Sequence, residues 1–209
     1  MSGGEGQAVA RPGLSTAERL SGYTDAVFAV IITIMVLELR PPESSEFKAI
    51  LGLWPTIISY IVSYIFIAII WINHHYLMTY VDVPSPRVIW LNFAHLFFVS
   101  LVPFATAWMA DTKLARAPVI TYALLFVATD GMYNLFEIEI FRHSAKISKT
   151  KYKTTRRRSL AALAFFVTAA VLATIESWLG FGLICLALAL HLRPDASARW
   201  RRRKTEPTD

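Results

Sequence analysis

The stretch that decides the fold is Leu20–Leu39, LSGYTDAVFAVIITIMVLEL. At helical rise it covers about 30 Å, the thickness of a bilayer's hydrocarbon core. Asp25 lies inside the run and Arg19 stands just before it. A carboxylate at membrane depth is expensive, so Asp25 is expected to face protein or water rather than lipid. The same segment has a polar side, with Ser21, Thr24 and Thr33, next to apolar Val30, Ile34 and Leu37. At about 100° per residue, Ala26, Val30, Thr33, Ile34 and Leu37 fall along one stripe. A helix held only by lipid needs neither feature. This is therefore the functional helix, and the other apolar segments are its scaffold.

Outward from it, the 209-residue chain is 55% hydrophobic. Its apolar runs are long and nearly free of charge, which places it among all-α polytopic membrane proteins rather than soluble domains. Six transmembrane segments are expected, over about 20–39, 49–73, 88–110, 117–136, 159–175 and 177–192, between a tail at 1–18 and a basic tail at 193–209. Arg40-Pro41-Pro42 ends the first. Trp54 and Trp71 mark the ends of the second, where indoles favour the interface. Pro103 is a kink position in the third. The last two segments are short and read as a tight hairpin around Glu176 and Ser177. The polar stretch 137–158 reads as a solvated loop.

The net charge of +6 does not point to nucleic acid, because the bases cluster between and after apolar segments, where they act as topology signals. With six spans, Arg11, Arg19, Arg87, the bases from Arg142 to Arg158 and those from Arg193 to Lys204 fall on one side. Only Arg40, Lys48, Lys113 and Arg116 fall on the other. Both termini are accordingly expected in the cytoplasm of a cell whose plasma membrane holds the protein. Residues 1–18 lack an apolar core with a cleavage site, so the first segment is expected to stay in the mature chain. Arg156, Arg157 and Arg158 are a candidate contact for anionic lipid. The single cysteine, Cys185, gives neither a disulfide framework nor a metal spacing.

Three polar motifs interrupt the apolar runs: Arg19-x-x-x-Tyr23-Thr24-Asp25, Trp71-Ile-Asn73-His74-His75, and Trp90-Leu-Asn92 followed by His95. The topology puts all three near one membrane face. A buried network of Asp25, His74 or His75, Asn73 and Asn92 is therefore expected, since polar groups in lipid must be satisfied internally. Adjacent histidines point about 100° apart on a helix, so His74 and His75 make a poor metal site. Asp130 and Asn134 are isolated polar groups of the fourth segment. There is no Gly-rich phosphate loop, HExxH or GxSxG, so no catalytic residue, cofactor or enzyme class is implied. A TVGYG-like carbonyl filter is also absent.

The first motif and the run after it resemble the RxxxFSD first helix of the transmembrane protein 175 family of potassium channels. Trp71–His75, Trp90–Asn92 and Phe97-Phe-Val-Ser-Leu-Val-Pro-Phe104 are similar to that family's second and third helices. The resemblance implies a six-helix subunit, assembly of four into a channel, and a potassium pore lined by the first helix without a P-loop filter. By position it implies that Val30, Ile34 and Leu37 are the pore constriction and that Thr33 is a nearby hydroxyl. The narrowest family position, commonly Ile or Leu, is Val30 here, one methylene smaller. Tyr23-Thr24 replaces Phe-Ser and keeps a ring and a hydroxyl. Two other readings stand beside the channel: a proton- or cation-coupled transporter using Asp25 and His74 or His75, and a non-conducting membrane scaffold. A transporter is expected to show paired Gly/Pro breaks in two halves, and Pro55 and Pro103 make no such pair.

Overall fold

The computed structural model describes residues 16–144 and 147–191. Their regular structure is all helical, with no strand among them: α1 (Thr16–Leu37), α2 (Lys48–Leu51), α3 (Trp54–Met78), α4 (Pro86–Ser100), α5 (Val102–Asp111), α6 (Arg116–His143), α7 (Lys149–Ile175) and α8 (Ser177–His191). Five spans among them are long and apolar enough to cross a membrane, with α4 and α5 counted as one. α8 is apolar but shorter. The tail 193–209 and residues 1–15 lie outside the described residues.

Local chemistry sets the boundaries. Pro55 sits in the first turn of α3 and Pro86 opens α4, where a missing N–H costs nothing. Ser85 and Ser148 cap α4 and α7, accepting from the amides of Val88 and Lys151 at 3.2 and 3.3 Å. The third span breaks at Leu101, just ahead of Pro103, which has no N–H to donate to the carbonyl of Val99. Lys113 and Leu114 both take positive φ in the turn from α5 to α6, and the Leu114 side chain is buried beneath it.

The interior is built on stacked aromatics. Phe66 of α3 lies face to face with Phe126 of α6, and Phe166 of α7 meets both edge-on at 5.8 and 5.4 Å. α6 is the central post, packed against α4, α5, α7 and α8, while α1 lies on α3, α4 and α5. α7 and α8 form the expected tight hairpin. A Cβ placed on Gly180 would come within 2.8 Å of the Ala169 carbonyl and the Ala173 Cα, so only glycine lets the two backbones approach so closely.

One expectation is corrected here. The stretch 137–158 is not a solvated loop, because α6 continues to His143 and α7 already begins at Lys149. The polar residues read as loop are instead about two turns of α6 and nearly three of α7, and the acids of α6 are buried: Glu137 is fully buried and Glu139 nearly so. Lys151 explains part of this order. Its ammonium sits 5.1 and 5.2 Å from the rings of Tyr76 and Tyr80, tying the start of α7 to the end of α3. The hydroxyls of those tyrosines are 2.8 Å apart, and burial pushes the Tyr80 phenol above its ordinary range.

Candidate functional site

α1 has two faces of different character. Leu20, Thr24, Phe28, Ile31 and Met35 recur every three or four residues and are buried against the scaffold. The stripe on the other side is open: Val30 is 55%, Ile34 42% and Leu37 81% exposed. Thr33 is exposed with them, and its hydroxyl is occupied by the carbonyl of Val30 at 2.8 Å. Beside the stripe runs an apolar groove of about 660 Å³ between α1 and the α4–α5 break, lined by Tyr23, Ala26, Val30, Ile34, Pro103 and Phe104 among others. Exposed apolar side chains on a helix whose opposite side carries the packing mark a surface that addresses something other than this subunit's own core.

The buried side of α1 is fixed by a directed hydrogen-bond chain. The Thr24 hydroxyl donates to the Leu20 carbonyl at 2.9 Å. The Asn92 amide donates to Thr24 Oγ1 at 2.9 Å, and its Oδ1 lies 2.7 Å from His74 Nε2. Asn92 Oδ1 only accepts, so His74 carries its proton on Nε2. Thr24, His74 and Asn92 are all fully buried. One residue from each of three helices thus locks α1 to α3 and α4. His95 lies parallel to His74 at 6.3 Å, and its Nδ1 reaches the Thr129 carbonyl at 3.1 Å.

The expected network forms in part, with other members. Asp25 does not join His74. It is half-buried and accepts the Trp71 indole N–H at 2.8 Å. His75 is exposed and stacks on Trp71 at 5.5 Å. Asn73 is exposed, and its main-chain carbonyl accepts from the Tyr133 hydroxyl at 3.3 Å. The reason is helical phase: His74 faces the core, so its two neighbours lie about 100° to either side of it. Arg19 and Tyr23 are exposed too, and Tyr23 meets Phe93 edge-on at 5.3 Å. Among the described residues no hydrogen bond or ion pair joins Asp25 to His74 or His75, the pairs that a coupled transporter would use. Among the described residues no group of three or more His, Cys, Asp or Glu is placed to hold a metal ion.

Sequence reasoning missed a second polar cluster, between α6 and α7. Arg156 donates to Asn134 Oδ1 at 2.9 Å and lies 3.6 Å from Glu137. Ser159 donates to the other oxygen of Glu137 at 2.7 Å. Asn134 in turn donates to the Asp130 carbonyl and carboxylate at 2.8 and 3.2 Å. Arg156 therefore points inward, which corrects its expected place in a lipid contact with Arg157 and Arg158. The available signal was spacing: Asp130, Asn134 and Glu137 recur at helical intervals, as do Arg156 and Ser159. Nearby, Arg87 pairs with Glu139 at 3.3 Å.

Comparison with known proteins bears on this geometry. A sequence profile for the family described as "Endosomal/lysosomal potassium channel TMEM175" matches residues 19–103, from the head of α1 to the break after α4. A potassium channel of Chryseobacterium sp. (strain P1-3) is 33% identical over 181 residues, 86% of this chain and 94% of that one. The chain belongs to the TMEM175 family. A potassium channel of Chamaesiphon minutus is 27% identical over 200 residues, 88% of this chain and 96% of its own. The crystal structure of a lysosomal potassium-selective channel TMEM175 homolog from Chamaesiphon minutus superposes with a TM-score of 0.75 at 26% identity, over 85% of this chain and 98% of that one. The crystal structure of a variant of the potassium channel MtTMEM175 shares the fold with a TM-score of 0.59 at 17% identity, over 94% of this chain and 99% of its own. TMEM175 is a channel family and not an enzyme family, and its all-helical, multi-pass membrane architecture is that of this chain.

Proposed function

We infer that the protein is a potassium channel whose pore is lined by α1 in a homotetramer. The observation that carries the reading is the exposed apolar stripe Val30, Ile34 and Leu37, on a helix inside the segment that matches the family. Four copies of α1 around an axis would stack three apolar rings, roughly 4–6 Å apart along the pore. Such rings exclude water, and an ion crossing them gives up hydration without replacement oxygens. The larger, more easily dehydrated cation then passes preferentially, which favours potassium over sodium. The Thr24–Asn92–His74 chain holds α1 in the rotation that keeps this stripe outward. Asp25, capped by Trp71, sits at the flank of the helix rather than on the stripe.

The same reading puts both termini in the cytoplasm of a prokaryotic cell, with the bases around Arg142–Arg158 on the inner side. Arg157, exposed on α7, remains for anionic headgroups where Arg156 does not. The test is reconstitution of the full chain in liposomes with flux driven by a potassium gradient, repeated with sodium. Potassium flux well above both empty vesicles and sodium flux is expected. No flux above empty vesicles refutes the channel.

A further inference from the structure

The outer end of α1 carries an acid that the apolar stripe leaves unused. Glu38 follows Leu37, the last residue of α1, and is exposed. It lines both cavities at once: the apolar groove beside the stripe, and a small chamber of about 30 Å³ between the ends of α1 and α5. Arg40 and Asp111 also line that chamber. Their formal charges offset each other and leave Glu38 as the net charge. The Glu38 carboxylate makes no hydrogen bond or ion pair among the described residues.

The placement is unfavourable for the helix alone. The C-terminal end of a helix is the negative end of its macrodipole, where bases are stabilising and acids are not, and the last turn of α1 contains no base. Carboxylate and dipole therefore add, and the negative potential falls one residue beyond the outermost apolar ring.

We propose that Glu38 sets the cation supply of the channel, as a ring of four carboxylates that concentrates potassium at the outer mouth of the α1 pore. This rests on α1 being the pore helix. Apolar rings attract no ion, so the step they limit depends on the cation concentration presented to them, and charged rings raise it. Four unit charges about 10 Å from the axis raise that concentration about sevenfold at 0.01 M salt, about twofold at 0.15 M, and hardly at all at 1 M.

The experiment uses the full chain in liposomes, with potassium flux measured at 0.01 M and 1 M outer salt. Glu38→Gln is expected to lower flux several-fold at 0.01 M and to match the parent at 1 M, whereas Glu38→Asp keeps the parent's salt dependence. Glu176→Gln, between α7 and α8, is expected to behave like the parent at both salts. A Glu38→Gln channel with parent-like flux at 0.01 M, or with the same loss at both salts, overturns the proposal. If that happens while Val30→Phe still blocks flux, the pore reading survives and only this inference falls. If Val30→Phe has no effect on a conducting parent, the pore reading falls and takes this inference with it.

Discussion

Removing the Asn92 side chain is the sharpest test of how α1 is held. Asn92→Ala deletes the acceptor of His74 Nε2 at 2.7 Å and the donor to Thr24 Oγ1 at 2.9 Å. Thr24 suffers little, because its hydroxyl still donates to the Leu20 carbonyl. His74 suffers more. Its Nδ1 already has no partner among the described residues, so the variant buries the ring with neither nitrogen satisfied. An unsatisfied buried polar group costs about 1–3 kcal/mol, and polar bonds within membranes average about 0.6 kcal/mol with a maximum near 1.7. With the small void added, a loss of about 2–4 kcal/mol is expected. Thr24→Val, which removes the acceptor for the Asn92 amide together with the hydroxyl's donation to the Leu20 carbonyl, is expected to cost about 1–2 kcal/mol. The double variant should cost little more than Asn92→Ala, because both changes break one chain, giving a coupling of about 1 kcal/mol. Denaturant titration of the purified protein in detergent, followed by tryptophan fluorescence, measures all three. Single losses that add without coupling, or an Asn92→Ala loss below about 0.5 kcal/mol, would show that the chain does not anchor α1.

Val30→Ala or Ile34→Asn is expected to raise conductance and weaken discrimination of potassium over sodium, and Val30→Phe to reduce flux. Three variants that assemble and conduct like the parent would put the pore elsewhere. Arg156→Met is expected to cost about 3–5 kcal/mol by leaving Glu137 buried without its cation, whereas Arg157→Gln, exposed on the same turn, should cost less than about 0.5 kcal/mol; equal effects in a thermal melt would refute the assignment. Gly180→Ala is expected to destabilise by about 1–3 kcal/mol through overpacking against α7, while Gly182→Ala, whose added Cβ meets nothing within 4 Å, should leave the melting temperature unchanged. Reporter fusions at residue 209 and in the 111–116 turn should report opposite sides of the membrane, and a cytoplasmic signal from 111–116 would refute the six-span topology.

The parts of this fold that were legible in the sequence share one property: a signal carried by a single helix. The apolar runs, the stop at Arg40-Pro41-Pro42 and the break near Pro103 follow from local rules that need no knowledge of neighbours. The stripe Val30, Ile34 and Leu37 is such a signal as well, since helical period alone puts these residues together. What was not legible depended on two helices meeting. Asp25 and His74 lie near one membrane face, but depth does not fix rotation. The phase of α3 turns His74 to the core and leaves Asn73 and His75 outside. Glu137 and Arg156 were hidden more thoroughly, because a charge-rich stretch between apolar segments reads as solvent-exposed loop. Only the pairing of α6 with α7 turns those charges on each other, and an ion pair between helices has no one-helix signature.

The rotation of α1 links these two kinds of information into one mechanism. A pore helix must show an apolar stripe to the axis, yet a mostly apolar helix gives its scaffold little to tell one apolar face from another. Hydrophobic burial alone, with Val, Ile and Leu on several sides of α1, would leave its rotation weakly specified. Thr24 removes that ambiguity. It is the polar side chain of α1 that is fully buried, and Asn92, itself held by His74, reaches it in one rotation only. A turn of about 100° would strand three polar groups in an apolar medium and carry Val30 and Ile34 off the axis. On the proposed pore reading, the polar chain therefore matters to conduction without touching an ion. Thr24→Val should accordingly broaden the distribution of single-channel conductances before it abolishes assembly, because rotated subunits present mismatched rings. A single, unchanged conductance level in Thr24→Val channels would mean that packing against α3, α4 and α5 suffices to set the rotation.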